Sequence, residues 1–301
     1  MAKNVAASVH QRLINKARQE KRPFQELLQY YAMERFLYRM ASTEYANAFI
    51  LKGALLLKAT GIGQSRPTKD IDLLSESTED IKVLEDVFRT CCAVPLDDGL
   101  LFDAASVRGI EIREEQAYQG VRVTFTGNLG NAIISMQVDI GFGDAVTPGP
   151  VWIEYPTLLE HESPKLQGYP LETVVAEKYQ AMVALDLANS RMKDFYDIWF
   201  IAGTQRITGG ELGAAIKSTF QRRKTELPAE IPTALTPIFS RDKDKVIQWK
   251  AFNRKLKDTE APGELSEVVE KLQYFLWPIT VAITQDRKIT EVWTPEKGWD
   301  K

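Results

Sequence analysis

Between residues 105 and 143 three strand-like runs follow one another with little between them: "ASVRGIEIR", "GVRVTFTG" and "NAIISMQVDIGFG". Each is rich in β-branched residues or alternates apolar and polar side chains, the two-residue period of a strand. The breaks, "EEQAYQ" and "NLG", are of hairpin length, so antiparallel pairing is expected. A chain carrying such a block must build a sheet, and the helical segments around it must supply its cover.

Upstream, "PFQELLQYYAMERFLYRMAS" places Leu27, Tyr30, Tyr31, Met33, Phe36, Leu37 and Met40 at helical spacing, behind a proline suited to a first turn. "AFILK" reads as a strand, Gly53 as a turn and "ALLLKAT" as a helix stopped by Gly61 and Gly63. The segment "DIDLL" reads as a further strand, "EDIKVLEDVFRTCCAV" as a helix and "VWIEYPTLL" as one more strand. "PKLQGYP" reads as a loop, and beyond it the pattern is helical: "LETVVAEKYQAMVALDLANS", "RMKDFYDIWFIAG", "GELGAAIKSTFQRRK", then a proline-rich linker, "DKVIQWKAFNRKLK" and "LSEVVEKLQYFLW". The expectation is an α/β (α+β) fold: a mixed-sheet lobe with N-terminal helices over residues 1–160, then a mainly helical lobe over 161–301.

The segment "RPTKDIDLL" raises the chemical question. Alternation puts Asp70 and Asp72 on one face of a strand, beside its apolar core. Two carboxylates about 5–6 Å apart repel by roughly 3 kcal/mol at an effective dielectric near 20. Water, a proton or a cation must relieve that cost, and a hard divalent ion with oxygen ligands, Mg²⁺ first, does so where phosphate chemistry is carried out. A glycine followed at once by a helix, as at Gly53–Ala54, lets the backbone approach an anion closely. If the loop "TGIGQSRPTK" folds back, such an anion sits near the carboxylates, and Arg66, Thr68 and Lys69 are placed to touch phosphate oxygens. Asp139, in "MQVDIGFG", is either a third metal ligand or a turn carboxylate at a strand end.

The Gly, helix, Arg-x-Thr-x-Asp-Ile-Asp order resembles the active-site motif of the DNA polymerase β-like nucleotidyltransferases, and more closely the AbiEii/AbiGii toxin family that includes the MenT toxins. "YPLETVVAEKYQAMVALDLANSRMKDFYDIW" resembles that family's second signature, an Ala-Glu-Lys helix followed by an Arg/Lys-Asp-x-x-Asp helix. Where the superfamily usually has Gly-Ser or Gly-Gly, this chain has Gly53–Ala54, so backbone donors remain but no side-chain hydroxyl does. The resemblance implies transfer of a nucleotide from a nucleoside triphosphate, with Asp70 and Asp72 as metal-binding catalytic acids and Mg²⁺ (or Mn²⁺) as cofactor. It implies RNA, the tRNA 3′ acceptor end in the first place, as acceptor, and a cognate antitoxin protein as partner. A small molecule of aminoglycoside type, or a protein side chain, is the alternative acceptor.

In the second signature Lys178 lies within the apolar stripe of Leu171, Val174, Val175, Met182 and Leu185. A lysine there must meet an anion or snorkel to water; the resemblance assigns it to the triphosphate. Asp194 and Asp197 are three apart on the next helix, and the resemblance places an acid of this block in the active site, Asp194 ahead of Asp197. Lys193 and Asp197 could instead form an i,i+4 surface pair. Tyr196 and Trp199 read as core residues.

The net charge of −3 gives no global attraction for nucleic acid, so RNA binding must rest on a local patch. Arg222, Arg223, Lys224, Arg241, Lys243, Lys245, Lys250, Arg254, Lys255 and Lys257, with Trp249 and Phe252 between them, form either a solvated helical face or an RNA track. Cys91 and Cys92 are adjacent, which suits neither a disulfide framework nor a metal site and points to a reduced setting. The first residues are polar and basic, and no apolar run approaches membrane-spanning length. A cytoplasmic protein is expected.

Overall fold

The computed structural model describes residues 5–61, 68–76, 78–114, 118–256 and 261–300. The chain divides into two compact units, one of Met1–Ala59, Pro67–Gly143 and Val151–Gly168, the other of Thr60–Arg66, Asp144–Pro150 and Tyr169–Lys301.

In the first unit, helix α1 (Val5–Gln19) buries Val9, Leu13 and Ala17, spaced four apart in an otherwise polar segment. Helix α2 (Phe24–Ala41) follows Pro23 and is buried almost all round, as a helix that passes through a core must be. Its Arg39 forms two hydrogen bonds with the buried Asp98, Nη1–Oδ2 at 2.6 Å and Nη2–Oδ1 at 3.1 Å, which fixes the helix against the start of the sheet's longest strand. Strand β1 (Phe49–Lys52) passes through Gly53, at φ +70°, into the seven-residue helix α3 (Gly53–Ala59). Strand β2 (Ile71–Ser75) and helix α4 (Ile81–Ala93) come next. In α4 the Asp80 carboxylate accepts from the Lys82 and Val83 amides as an N-cap, and Leu84, Val87, Phe88, Cys91 and Cys92 make the buried stripe.

Strands β3 (Leu100–Glu114), β4 (Tyr118–Leu129) and β5 (Ala132–Phe142) form the expected antiparallel meander. Leu129 pairs with Ala132 around a two-residue turn in which Gly130 takes φ +59°, the conformation such a hairpin needs. Strands β6 (Val151–Glu154) and β7 (Lys165–Gly168) complete a seven-stranded mixed sheet of order β3-β4-β5-β2-β1-β7-β6. The segment expected as a loop, "PKLQGYP", therefore contains a strand. It pairs parallel to β1 and antiparallel to β6, long-range partners that no local period in the segment announces.

The second unit is mainly helical: α5 (Leu171–Leu185), α6 (Met192–Thr204), α7 (Gly209–Arg222), α8 (Pro237–Ser240), α9 (Lys243–Asn253) and α10 (Leu265–Thr284). Strand β8 (Ile207–Thr208) joins β9 (Val292–Thr294) and β10 (Gly298–Asp300) in a small sheet. Arg223 is drawn inward: its Nη2 lies 3.0 Å from Asp144 and 3.3 Å from Glu177, and its Nη1 donates to Gln180 at 3.1 Å. No helix among the described residues is long and apolar enough to cross a membrane.

Candidate active site

Sheet register lines up four charged residues. Lys52 on β1 pairs with Asp72 on β2, Asp72 with Asp139 on β5, and Asp139 with Arg122 on β4. Register partners leave a sheet on the same face, so one row reads ammonium, carboxylate, carboxylate, guanidinium. Asp70 stands one residue before β2 rather than within it, yet joins the row: one ligand oxygen from each of Asp70, Asp72 and Asp139 lies within 4.8 Å of the others. Asp139 sits inside β5, eight residues into the strand and 8 % exposed, rather than at a strand-end turn.

The chain answers part of the repulsion with its own cations. Arg122 Nε and Nη2 each donate to one oxygen of Asp139 at 2.8 Å, the parallel fork geometry that makes such pairs strong. Those hydrogen bonds, together with the charges of Asp139, Asp70 and Asp72, outweigh the cost of partial burial and raise the Arg122 guanidinium above its ordinary value. Lys52 is buried, and Gly141 makes room for it: a Cβ built at Gly141 would lie 2.9 Å from Lys52 Nζ. Its ammonium thus lies over β5, beyond its own strand's neighbour.

Gly53 serves Asp72. A Cβ at position 53 would lie 1.9 Å from Asp72 Oδ2, so only glycine allows this carboxylate to sit against the backbone. Ala54 follows at the start of α3, offering an amide and a half-buried methyl. With only two turns, α3 gives its N-terminus little of a long helix's charge.

The approach to β2 is held by α2. The Thr68 amide donates to Tyr30 Oη at 3.0 Å, and Gln29 Nε2 donates to the carbonyls of Lys69 (3.4 Å) and Ser135 (3.1 Å). The Thr68 hydroxyl donates to Asp70 Oδ1 in a short hydrogen bond, so it orients an acid of the row. Lys69 is exposed, and Arg66 lies outside the described residues.

In the second unit Lys178 Nζ lies 2.7 Å from Asp194 Oδ1 and 2.8 Å from Asp197 Oδ2. The structure thus brings together the three candidate residues of the second signature. Asp194 is fully buried, and burial alone would raise its carboxyl; the charges of Lys178 and Arg191, whose Nε is 2.6 Å away, hold it below the ordinary carboxylate range instead. Asp197 is 1 % exposed, so the expected surface pair with Lys193 gives way to a buried pair with Lys178. Tyr196 is fully buried.

The basic run is less exposed than its sequence suggests. Arg223 is tied to Asp144 and Glu177, Lys245 is buried, and Trp249 is wholly buried with its indole N–H on the Pro262 carbonyl. Arg222, Lys224, Arg241, Lys243, Lys250, Arg254 and Lys255 remain exposed; Lys257 lies outside the described residues.

Lys52, Arg122 and Arg191 escaped sequence reasoning, and Tyr30 was legible only as part of a helical stripe. Arg122 had a signal, since it alternates with buried Val121 and Val123, and Lys52 had another, as a lysine closing an apolar strand before glycine. Neither names a partner without the register.

Residues 35–276 match the family model described as nucleotidyl transferase AbiEii toxin, Type IV TA system. The chain belongs to this family. The AbiEii assignment makes it a nucleotidyltransferase toxin of a toxin–antitoxin system, with a nucleotide substrate and an antitoxin partner. Comparison with curated proteins gives no match. Among solved structures this AbiEii chain is similar to JHP933 from Helicobacter pylori, at 16% identity and TM-score 0.49, over 87% of this chain and 94% of that one. It is also similar to a protein from H. pylori provisionally described as a nucleotidyltransferase, at 15% identity and TM-score 0.47, over 88% and 98% of the two chains.

Proposed function

We propose that this toxin transfers a nucleotide from a nucleoside triphosphate to the 3′ end of RNA, tRNA in the first place, and so blocks translation in the cytoplasm. The observation that carries the reading is the acid row, three carboxylates with ligand oxygens within 4.8 Å in a chain of a nucleotidyltransferase family. The donor set fits a hard divalent cation, since all three ligands are carboxylate oxygens. Asp70 and Asp72 would hold Mg²⁺ (or Mn²⁺), with Asp139 as third ligand once it shares its oxygens with Arg122. Bound there, the ion would supply positive charge to the phosphates.

The acceptor hydroxyl attacks the α-phosphate in line; the new O–P bond forms as the α–β anhydride bond breaks, pyrophosphate leaves, and the hydroxyl proton passes to water. The protein contributes position and charge rather than a covalent intermediate. Thr68 orients Asp70, and the bare Cα of Gly53 lets Asp72 take its place. Arg66, Lys69 and the Gly53–Ala54 backbone carry the phosphate contacts in this reading. Lys178 carries the triphosphate contact that the family resemblance implies, with Asp194 and Asp197 holding its ammonium.

Incubation with α-labelled triphosphates and, in separate reactions, total RNA, an aminoglycoside and a protein extract tests the acceptor. Label at the 3′ end of tRNA-sized RNA is expected. Label confined to the small molecule or to protein would overturn the RNA acceptor and leave the nucleotidyl chemistry.

A further inference from the structure

The row across β1, β2, β5 and β4 contains more than ligands. Its two ends are basic and its middle is acidic, and all four members leave the sheet on one face. Arg122 occupies both oxygens of Asp139 at 2.8 Å, the acid that would complete a three-carboxylate site. At the other end a buried lysine is accommodated by a glycine: a Cβ at 141 would lie 2.9 Å from Lys52 Nζ, so the ammonium would have to shift to admit a side chain there. Lysine is rarely found so buried without an electrostatic reason, and the carboxylates of the row face it on the same side of the sheet.

We infer that Lys52 and Arg122 are resident counter-ions of the carboxylate row, positioning residues that hold Asp72 and Asp139 in place before metal arrives and that set the metal affinity by competing with it. The inference rests on the metal-binding reading of the row given above. Its physical content is a competition. A divalent ion entering the row meets two fixed positive charges, and it must share the Asp139 oxygens with the Arg122 fork. The same cations lower the repulsion among the acids in the metal-free protein. Removing either should therefore do two things at once: destabilise the metal-free fold and tighten the metal.

This sign separates the inference from a packing role. Loss of a merely structural lysine or arginine would loosen the row and weaken metal binding, or leave it unchanged. Loss of a competing charge strengthens it.

The test is Mn²⁺ binding to the full chain with no nucleotide present, read as free Mn²⁺ by electron paramagnetic resonance, beside thermal unfolding with and without Mn²⁺. Lys52→Met keeps the stem and deletes the charge; Arg122→Leu, at a more exposed position, folds even if the buried substitution does not. Each is expected to bind Mn²⁺ at least fivefold more tightly than the wild type. Each should also unfold at lower temperature without metal and gain more from metal addition. Arg122→Lys, which keeps a charge beside Asp139, should stay near the wild-type affinity. Unchanged or weaker Mn²⁺ binding in the charge-deleted variants would overturn the inference. Shifted affinities in a protein that transfers no nucleotide would uphold it and overturn the proposed function; a wild type that binds no Mn²⁺ would overturn both the inference and the metal reading.

Discussion

The Asp72 carboxylate occupies the space that any side chain at position 53 would need, with Oδ2 1.9 Å and Cγ 2.6 Å from where a Gly53 Cβ would stand. The backbone adds a second constraint, because Gly53 has φ +70°, where an L side chain is strained. Gly53→Ala should therefore cost about 2–4 kcal/mol of stability, from strain and overpacking together. It should also displace Asp72 and abolish transfer. Chemical denaturation of Gly53→Ala, Asp72→Gly and the double variant makes the check. The double variant should recover much of the lost stability while remaining inactive, since the clash is gone but so is the acid.

Lys178 answers two buried carboxylates, so its removal is not a neutral change. The stripe around it suggests from sequence that methionine would pack there without loss. With Asp194 fully buried and Asp197 nearly so, Lys178→Met instead takes from both acids the cation they share, leaving Arg191 beside Asp194, and should cost about 3–5 kcal/mol. Adding Asp194→Asn and Asp197→Asn should recover part of that, and denaturant titration of the single and triple variants measures it. A Lys178→Met protein as stable as the wild type would contradict the pairing.

Glu34 provides a pH dependence whose sign is fixed. Burial raises its carboxyl from the ordinary 4.5 to about 7, against the opposing pull of the Leu158 amide and Arg35. The folded protein therefore holds this proton where the unfolded chain has released it. The stability it contributes is full below about 4.5 and lost as pH rises through about 7. Glu34→Gln keeps an acceptor for the Leu158 amide and cannot ionise. Its melting temperature relative to wild type should climb between pH 5 and pH 8, by the equivalent of up to about 3 kcal/mol. A difference independent of pH would contradict the raised value.

The exposed cations of α9 and its end test the RNA face. Lys250, Arg254 and Lys255 are exposed, whereas Arg223 and Lys245 are committed to the interior. Replacing Lys250, Arg254 and Lys255 by Ser should weaken RNA binding and flatten its salt dependence by up to about three counter-ions. Triphosphate affinity should stay the same. An unchanged salt slope would remove this face from the account.

Much of the fold is written locally. The β3–β4–β5 meander follows from alternation and a glycine turn, and α4 from a capped stripe of five buried residues. Strand β7 was not readable, because four residues pairing with β1 and β6 carry no period of their own. Helix α1 escaped for the opposite reason: three buried residues in fifteen are too thin a stripe to stand out. The site divides in the same way. Asp70 and Asp72 are close in sequence and declare each other. Lys52, Asp139 and Arg122 lie on three further strands, and only the register across β1, β2, β5 and β4 makes one row of them. Lys178, Asp194 and Asp197 were each visible as charges near an apolar stripe, but which charge met which depended on how α5 and α6 pack.

The most direct measurement follows one phosphorus atom. The chain is incubated with RNA, Mg²⁺ and a nucleoside triphosphate labelled either at the α- or at the γ-phosphate, beside Asp70→Asn and Asp72→Asn proteins shown to be folded. The α-label should become attached to the RNA, the γ-label should be released as pyrophosphate, and either substitution or removal of divalent metal should end the transfer. Attachment of γ-label, or undiminished α-transfer by a folded Asp72→Asn protein, would contradict the proposed function.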